Sequence, residues 1–167
     1  MSMNLSPVFL HQFRDQVQRV LHVRGNFTGP VLEMTLVTDH SVDRAQMAEA
    51  VPALLRALKQ QGDVFRNVRF NLADWLEDDR VENRVIPMMT VMVNGFFDTY
   101  RQLPGEKRIE CLYQYLKFYH ARSKLILLVT DGKYCLKEEE AAREACKPFL
   151  GKKLIRIMIS EDGMELG

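Results

Sequence analysis

The sequence predicts an α/β domain on a mostly parallel sheet with one antiparallel edge strand. Segments with apolar residues at helical spacing alternate with short apolar runs of strand length. One run, Leu125–Val129, is apolar at five consecutive positions, as suits a central parallel strand covered on both faces. A charged connection, Trp75–Arg84, is too short for a crossover helix, because parallel neighbours need roughly a dozen residues or more between them.

Taken in order, residues 7–23 place Phe9, Phe13, Val17, Val20 and Leu21 on one helical face. Gly25, Gly29 and Pro30 then break the chain. "VLEMTLV", Val31–Val37, reads as the first strand. From Asp43 a helix follows with Met47, Val51, Leu54, Leu55 and Leu58 on one face and Gly62 as its stop; Pro52 removes a backbone donor within it. "NVRFNLADW" is the second strand and "VIPMMTVMV" the third, antiparallel to the second because the link between them is short. "FFDTYRQL" makes a short helix, and Glu106–Ala121 a longer one burying Ile109, Leu112, Leu116 and Tyr119. "KLILLVT" is the fourth strand. "KEEEAAREACKPF" is a helix whose Glu138, Glu139 and Glu140 favour the positive end of its dipole, and "KKLIRIMIS" is a final strand.

The balance of charge excludes several function classes. Lys and Arg number 23 against 22 Asp and Glu, so no bulk field favours nucleic acid or an anionic membrane. The content is 47% hydrophobic and 27% charged, which is globular and too interrupted for a membrane span. "CLYQYLKFYHARSK" sets aromatics beside basic residues, but at this spacing Leu112, Leu116 and Tyr119 belong to the buried helix face, which argues against a nucleic-acid partner. The first twenty residues lack an uninterrupted apolar core and carry Arg14, Asp15 and Arg19, unlike a secretory signal. Cys111, Cys135 and Cys146 are odd in number and lack metal-like spacing, so a reduced, cytoplasmic setting is expected, with the cysteines as small packing residues.

Two apolar runs end on the same tripeptide, Val37-Thr38-Asp39 and Val129-Thr130-Asp131. In open α/β sheets ligands bind outside the carboxyl ends of the strands, where connections part to opposite sides. If the two strands are neighbours there, Asp39, Ser41, Asp43 and Asp131 converge, a hard-oxygen set suited to Mg²⁺, Mn²⁺ or Ca²⁺. Asp43 has an alternative role: Asp43-x-x-Gln46 is capping-box spacing, in which the carboxylate takes orphan amides of the next helix. His40 in the same crevice, with Glu106 and Lys107 on a facing loop, are candidate partner contacts, although a lone loop histidine more often sits in solvent. His120, at a helix end, is expected to meet the terminal carbonyls.

Asp39-x-Ser41 after the first strand, with Thr130-Asp131-Gly132 after the fourth, resembles the von Willebrand factor A domain. That family builds a metal-ion-dependent adhesion site from Asp-x-Ser-x-Ser, a Thr on a second loop and the Asp of the later strand. The resemblance covers about residues 31–160, mostly in element order. It implies a Rossmann-like three-layer α/β/α domain spanning 1–167, with the helix at 7–23 and strand order 3-2-1-4-5. It also implies a non-enzymatic adaptor that binds a protein partner, cytoplasmic members of the family often accompanying chaperone-like ATPases. The chain departs from the pattern in that Asp43 stands at the second Ser, Glu106 or Lys107 near the Thr, and the family's last strand and closing helix are expected to be missing. The alternative is a Mg²⁺-dependent hydrolase or phosphotransfer enzyme using Asp39 and Asp131. Against that, no Gly-rich phosphate loop follows the first strand.

Overall fold

A computed structural model describes residues 6–23, 32–61, 65, 67–134, 139–151 and 153–167. Helix α1 (Pro7–Val23) precedes strand β1 (Leu32–Asp39), helix α2 (Arg44–Lys59) and strand β2 (Val68–Trp75). Strand β3 (Val81–Val85), the single-turn helix α3 (Met88–Val91) and a 3-10 turn at Phe96–Thr99 come next. Helix α4 (Ile109–Tyr119), strand β4 (Leu125–Thr130), helix α5 (Glu139–Leu150) and strands β5 (Leu154–Ser160) and β6 (Gly163–Leu166) complete the order. The strands form one mixed sheet, β3-β2-β1-β4-β5-β6. The pairs among β2, β1, β4 and β5 are parallel; β3 and β6 are antiparallel edges.

Period-two alternation sorts the strand side chains onto the two faces of this sheet. Leu36, Leu72, Leu125 and Leu127 join one apolar cluster with Phe13 and Val17 of α1 and Met47 and Leu54 of α2. Val37, Ala73, Ile126 and Leu128 join the other with Leu112 and Leu116 of α4 and Cys146 and Leu150 of α5. All five residues of Leu125–Val129 are 0% exposed, the two-sided burial that their unbroken apolar run predicts. Burial of each such Leu or Val is worth about 1.5–3 kcal/mol relative to exposure. The central strands are therefore rigid supports for whatever stands at their ends.

The structure corrects the sequence reading at both edges. The third strand is Val81–Val85, inside the charged stretch taken as a connection, and the chain turns back through Leu76–Arg80 with Asp78 and Asp79 at φ 55 and 60. It is antiparallel to β2 as expected. Beyond Val85, which ends β3, "VIPMMTVMV" is not a strand: Pro87, with φ −62, stands at the N-cap of α3, consistent with the ring's preset φ at a helix start. A charged strand is what a sheet edge requires, since charge discourages pairing with other chains. A sixth strand also exists, so the sheet has two antiparallel edges rather than one. The chain turns at residues 161–162, and Gly163, at φ 129, opens β6 opposite Ser160.

Helix α4 starts at Ile109 rather than Glu106: residues 104–107 form no regular element, Arg108 is extended, and the Arg108 amide donates to Asp79 Oδ1 at 2.6 Å. Tyr119, expected on its buried face, is 70% exposed; Tyr113 and His120 take the inward positions. The predicted inward faces of α1 and α2 are buried as read. Gly25, Gly29, Pro30, Val31, Gly62, Cys135 and Glu138 lie outside the described residues. Cys146 packs in the core as a small apolar residue, and Cys111 is half-buried; both are free thiols. Among the described residues no helix is long and apolar enough to cross a membrane.

Candidate functional site

Strands β1 and β4 are neighbours, and their register pairs Thr38 with Val129. The two Val-Thr-Asp tripeptides are therefore staggered by one residue, which sets Thr130 of one beside Asp39 of the other. Thr130 Oγ1 donates to Asp39 Oδ2 at 2.6 Å. Ser41 sends its backbone N–H to Asp39 Oδ1 at 2.9 Å, and its hydroxyl lies 2.8 Å from that oxygen and 3.1 Å from Asp131 Oδ1. The sequence expectation that Asp39, Ser41 and Asp131 share one crevice thus matches the geometry. Asp131 is half-buried at the rim, where Oδ1 also accepts the Lys133 N–H at 3.0 Å.

Lys107 completes the cluster. It is 2% exposed, and its ammonium donates to Asp39 Oδ1 and, at 2.9 Å, to the Trp75 carbonyl, while standing 4.6 Å from the Trp75 ring centroid. Alternation explains the meeting: Asp39 and Trp75 pair in register on the side of the sheet that α4 covers, and Lys107 enters from the irregular segment ahead of α4. Expected as a partner contact, Lys107 is turned inward. Glu106 beside it is exposed.

Asp43 stands apart from the cluster. Its exposed Oδ2 accepts the Ala45 and Gln46 amides at 3.0 and 3.3 Å, the N-cap of α2. Of the two roles its spacing allowed, capping is the one the geometry displays.

A second polar group lies across β1 on the opposite face. Thr38 Oγ1 donates to Asp74 Oδ1 at 2.7 Å and Arg84 reaches Asp74 Oδ2 at 3.1 Å. His40 Nε2 lies 3.3 Å from Asp74 Oδ1, and its Nδ1 is 2.9 Å from the Arg101 carbonyl. Burial alone would raise the Asp74 carboxyl; the adjacent His40 ring, the Thr38 hydrogen bond and the Arg84 charge hold it below the usual carboxylate range. His40 stacks on Tyr100 at 4.2 Å and is 6% exposed, which corrects the solvated-surface reading of a loop histidine. The Tyr100 hydroxyl lies 3.1 Å from the Asp39 carbonyl and 2.7 Å from that of Val42; burial, then the charges of Asp39 and Asp131, push its phenol above its ordinary value. A cavity of about 380 Å³ opens beside this group, lined in part by His40, Asp74, Arg84, Phe96 and Arg101.

Sequence reasoning passed over Thr130, Asp74, Tyr100 and the inward role of Lys107. The signal for Thr130 was present in the repeated tripeptide, but it needed the one-residue stagger. His120 also differs from expectation. Its ring Nδ1 is 3.0 Å from Thr35 Oγ1, in a buried trio with Ser123, rather than on the helix-end carbonyls.

A scan of the chain against protein-family models finds no match, and a search of curated proteins finds none either. The fit of the crevice to a divalent ion therefore rests on its chemistry. Asp39, Ser41 and Asp131 are oxygen donors of the right type. A carboxylate offers about four lone-pair sites, and donors from Ser41, Lys107 and Thr130 already address those of Asp39. Among the described residues no group of three or more His, Cys, Asp or Glu side chains is arranged to hold a metal ion. The residues present do not fit the ion.

Proposed function

We propose that this chain is a non-enzymatic interaction module, a von Willebrand factor A-like domain with a degenerate adhesion site, serving as an adaptor for a protein partner. On this reading 1–167 is a single Rossmann-like three-layer α/β/α domain. Support comes from the order 3-2-1-4-5 within the sheet, the antiparallel β3 at its edge, and the meeting of Asp39, Ser41 and Asp131 at the strand ends. The antiparallel β6 and the Lys107 side chain are departures from that family's pattern.

One observation carries the non-enzymatic half of the reading. Asp39 is 0% exposed and both its oxygens accept from the protein's own donors. A carboxylate that acts as nucleophile or holds catalytic Mg²⁺ needs an oxygen open to substrate or ion. This crevice is internally satisfied, which suits a rigid platform whose rim does the binding. The free thiols of Cys111 and Cys146 accord with a reduced, cytoplasmic setting.

The test is site-specific photocrosslinking in native lysate. A crosslinker replaces Glu106 or Arg101, both exposed at the strand-end rim, or Phe118, which is 73% exposed on α4. The rim positions are expected to capture the same protein, and Phe118 not to. Rim positions that capture nothing, or release of phosphate from a generic ester dependent on Asp39, would overturn the reading.

A further inference from the structure

A buried carboxylate must be compensated, because an isolated charge in a low-dielectric interior costs far more than a hydrogen bond returns. In the domain this chain resembles, the compensating charge at the strand ends is a divalent ion. Here it comes from the polypeptide. The Lys107 ammonium lies against Asp39 Oδ1, donates to the Trp75 carbonyl at 2.9 Å, and has the Trp75 ring 4.6 Å away as a third, cation-attracting wall. Its side chain is 1% exposed and that of Asp39 is 0% exposed. It comes from the segment where the resemblance expects the Thr ligand.

The charge count favours the single ammonium. Of the two carboxylates in the crevice only Asp39 is fully buried, while Asp131 is half-buried at the rim, so one positive charge balances the buried one. A divalent ion added beside Lys107 would set three positive charges against those two negative ones, at close range. The Ser41 hydroxyl, shared between Asp39 and Asp131, is likewise already engaged.

We propose that Lys107 is a tethered counter-cation that replaces a divalent metal at this site, so that the crevice is held in its working shape without metal. Removing the ammonium opens an oxygen cradle of Asp39, Ser41, Asp131 and the Trp75 carbonyl to a hard divalent cation. This goes beyond the adaptor reading and does not depend on it, since it concerns only what fills the crevice.

The experiment titrates Mn²⁺ into the full chain and follows the free ion by electron paramagnetic resonance, with thermal melts in parallel. Wild type is expected to leave the ion free and to melt identically with or without millimolar Mg²⁺ or Mn²⁺. Lys107→Ala is expected to take up Mn²⁺ roughly tenfold or more tightly than wild type, and to gain Tm with it, because an ion that binds only the folded form must stabilise it. The gain is expected to vanish in Asp39→Asn/Lys107→Ala, and to be absent in Lys107→Met, which fills the space without charge. Should Lys107→Ala be unfolded in chelator, recovery of its circular dichroism on adding Mn²⁺ supports the proposal and failure to recover contradicts it. Uptake of Mn²⁺ by wild type that depends on Asp39, or a folded Lys107→Ala that takes up none, would overturn it.

Discussion

Asp39 and Lys107 neutralise one another out of contact with water, and such pairs respond asymmetrically to substitution. Losing one member strands the other as a buried charge, typically at a cost of about 3–5 kcal/mol, whereas replacing both with neutral groups of similar size is often close to neutral. Asp39→Asn is therefore expected to lose about 3–5 kcal/mol in urea unfolding, and Asp39→Asn/Lys107→Met to recover most of that loss. A double variant as unstable as the sum of the two single ones would contradict the pairing. Burial, and secondarily the charge of Lys153, lower the pKa of His120 from 6.5 to about 4, so the folded protein keeps the ring neutral beside Thr35 and Ser123. The unfolded chain takes up a proton first as pH falls, so the stability this ring contributes is present above 6.5 and is lost between there and about 4. The loss is on the order of 3 kcal/mol, and urea midpoints of His120→Asn should show a shallower decline with pH over that window.

At the scale of elements, the strand ends and the helix starts that follow them form one mechanical unit. Asp43 ties α2 to the loop leaving β1, and Asp43→Ala is expected to cost about 0.5–2 kcal/mol in urea unfolding while leaving the Asp39 cluster in place. A larger loss, or one accompanied by changed resonances at Ser41 and Lys107, would show that Asp43 belongs to the crevice after all. Elements buried on both faces were legible in the sequence because their pattern is dictated by the core: Leu125–Val129 and the α2 stripe read directly. The edges were not, because an edge strand answers to solvent and carries little alternation. Val81–Val85 reads as charged loop, and Met88–Val93 as strand until Pro87 is given its weight as a helix starter. At the site, spacing could bring two aspartates to neighbouring strand ends. It could not supply the one-residue stagger that hands Asp39 to Thr130, nor the loop path that delivers Lys107, since these depend on register and on the course of an irregular segment.

For the molecule as a whole, the parallel sheet is stabilised from both sides, and α1 is one of the covers. It packs against β6, β4 and α2, burying Phe9, Phe13, Val17, Val20 and Leu21. Those five side chains contribute about 1.5–3 kcal/mol each, comparable with the 5–15 kcal/mol by which whole domains are stable. Deleting residues 1–23 is therefore expected to abolish cooperative unfolding in thermal melts followed by circular dichroism; a truncated chain with an unchanged melt would show that α1 is an appendage. In the crevice this scaffold holds, the proposal has the buried negative charge answered by a lysine and not by an ion. A crystal soaked in millimolar Mn²⁺, with data collected at the manganese edge, tests that most directly. The account predicts no anomalous peak at the strand ends and a Lys107 ammonium bridging Asp39 and the Trp75 carbonyl; a manganese peak between Asp39, Ser41 and Asp131, with Lys107 swung outward, would contradict it.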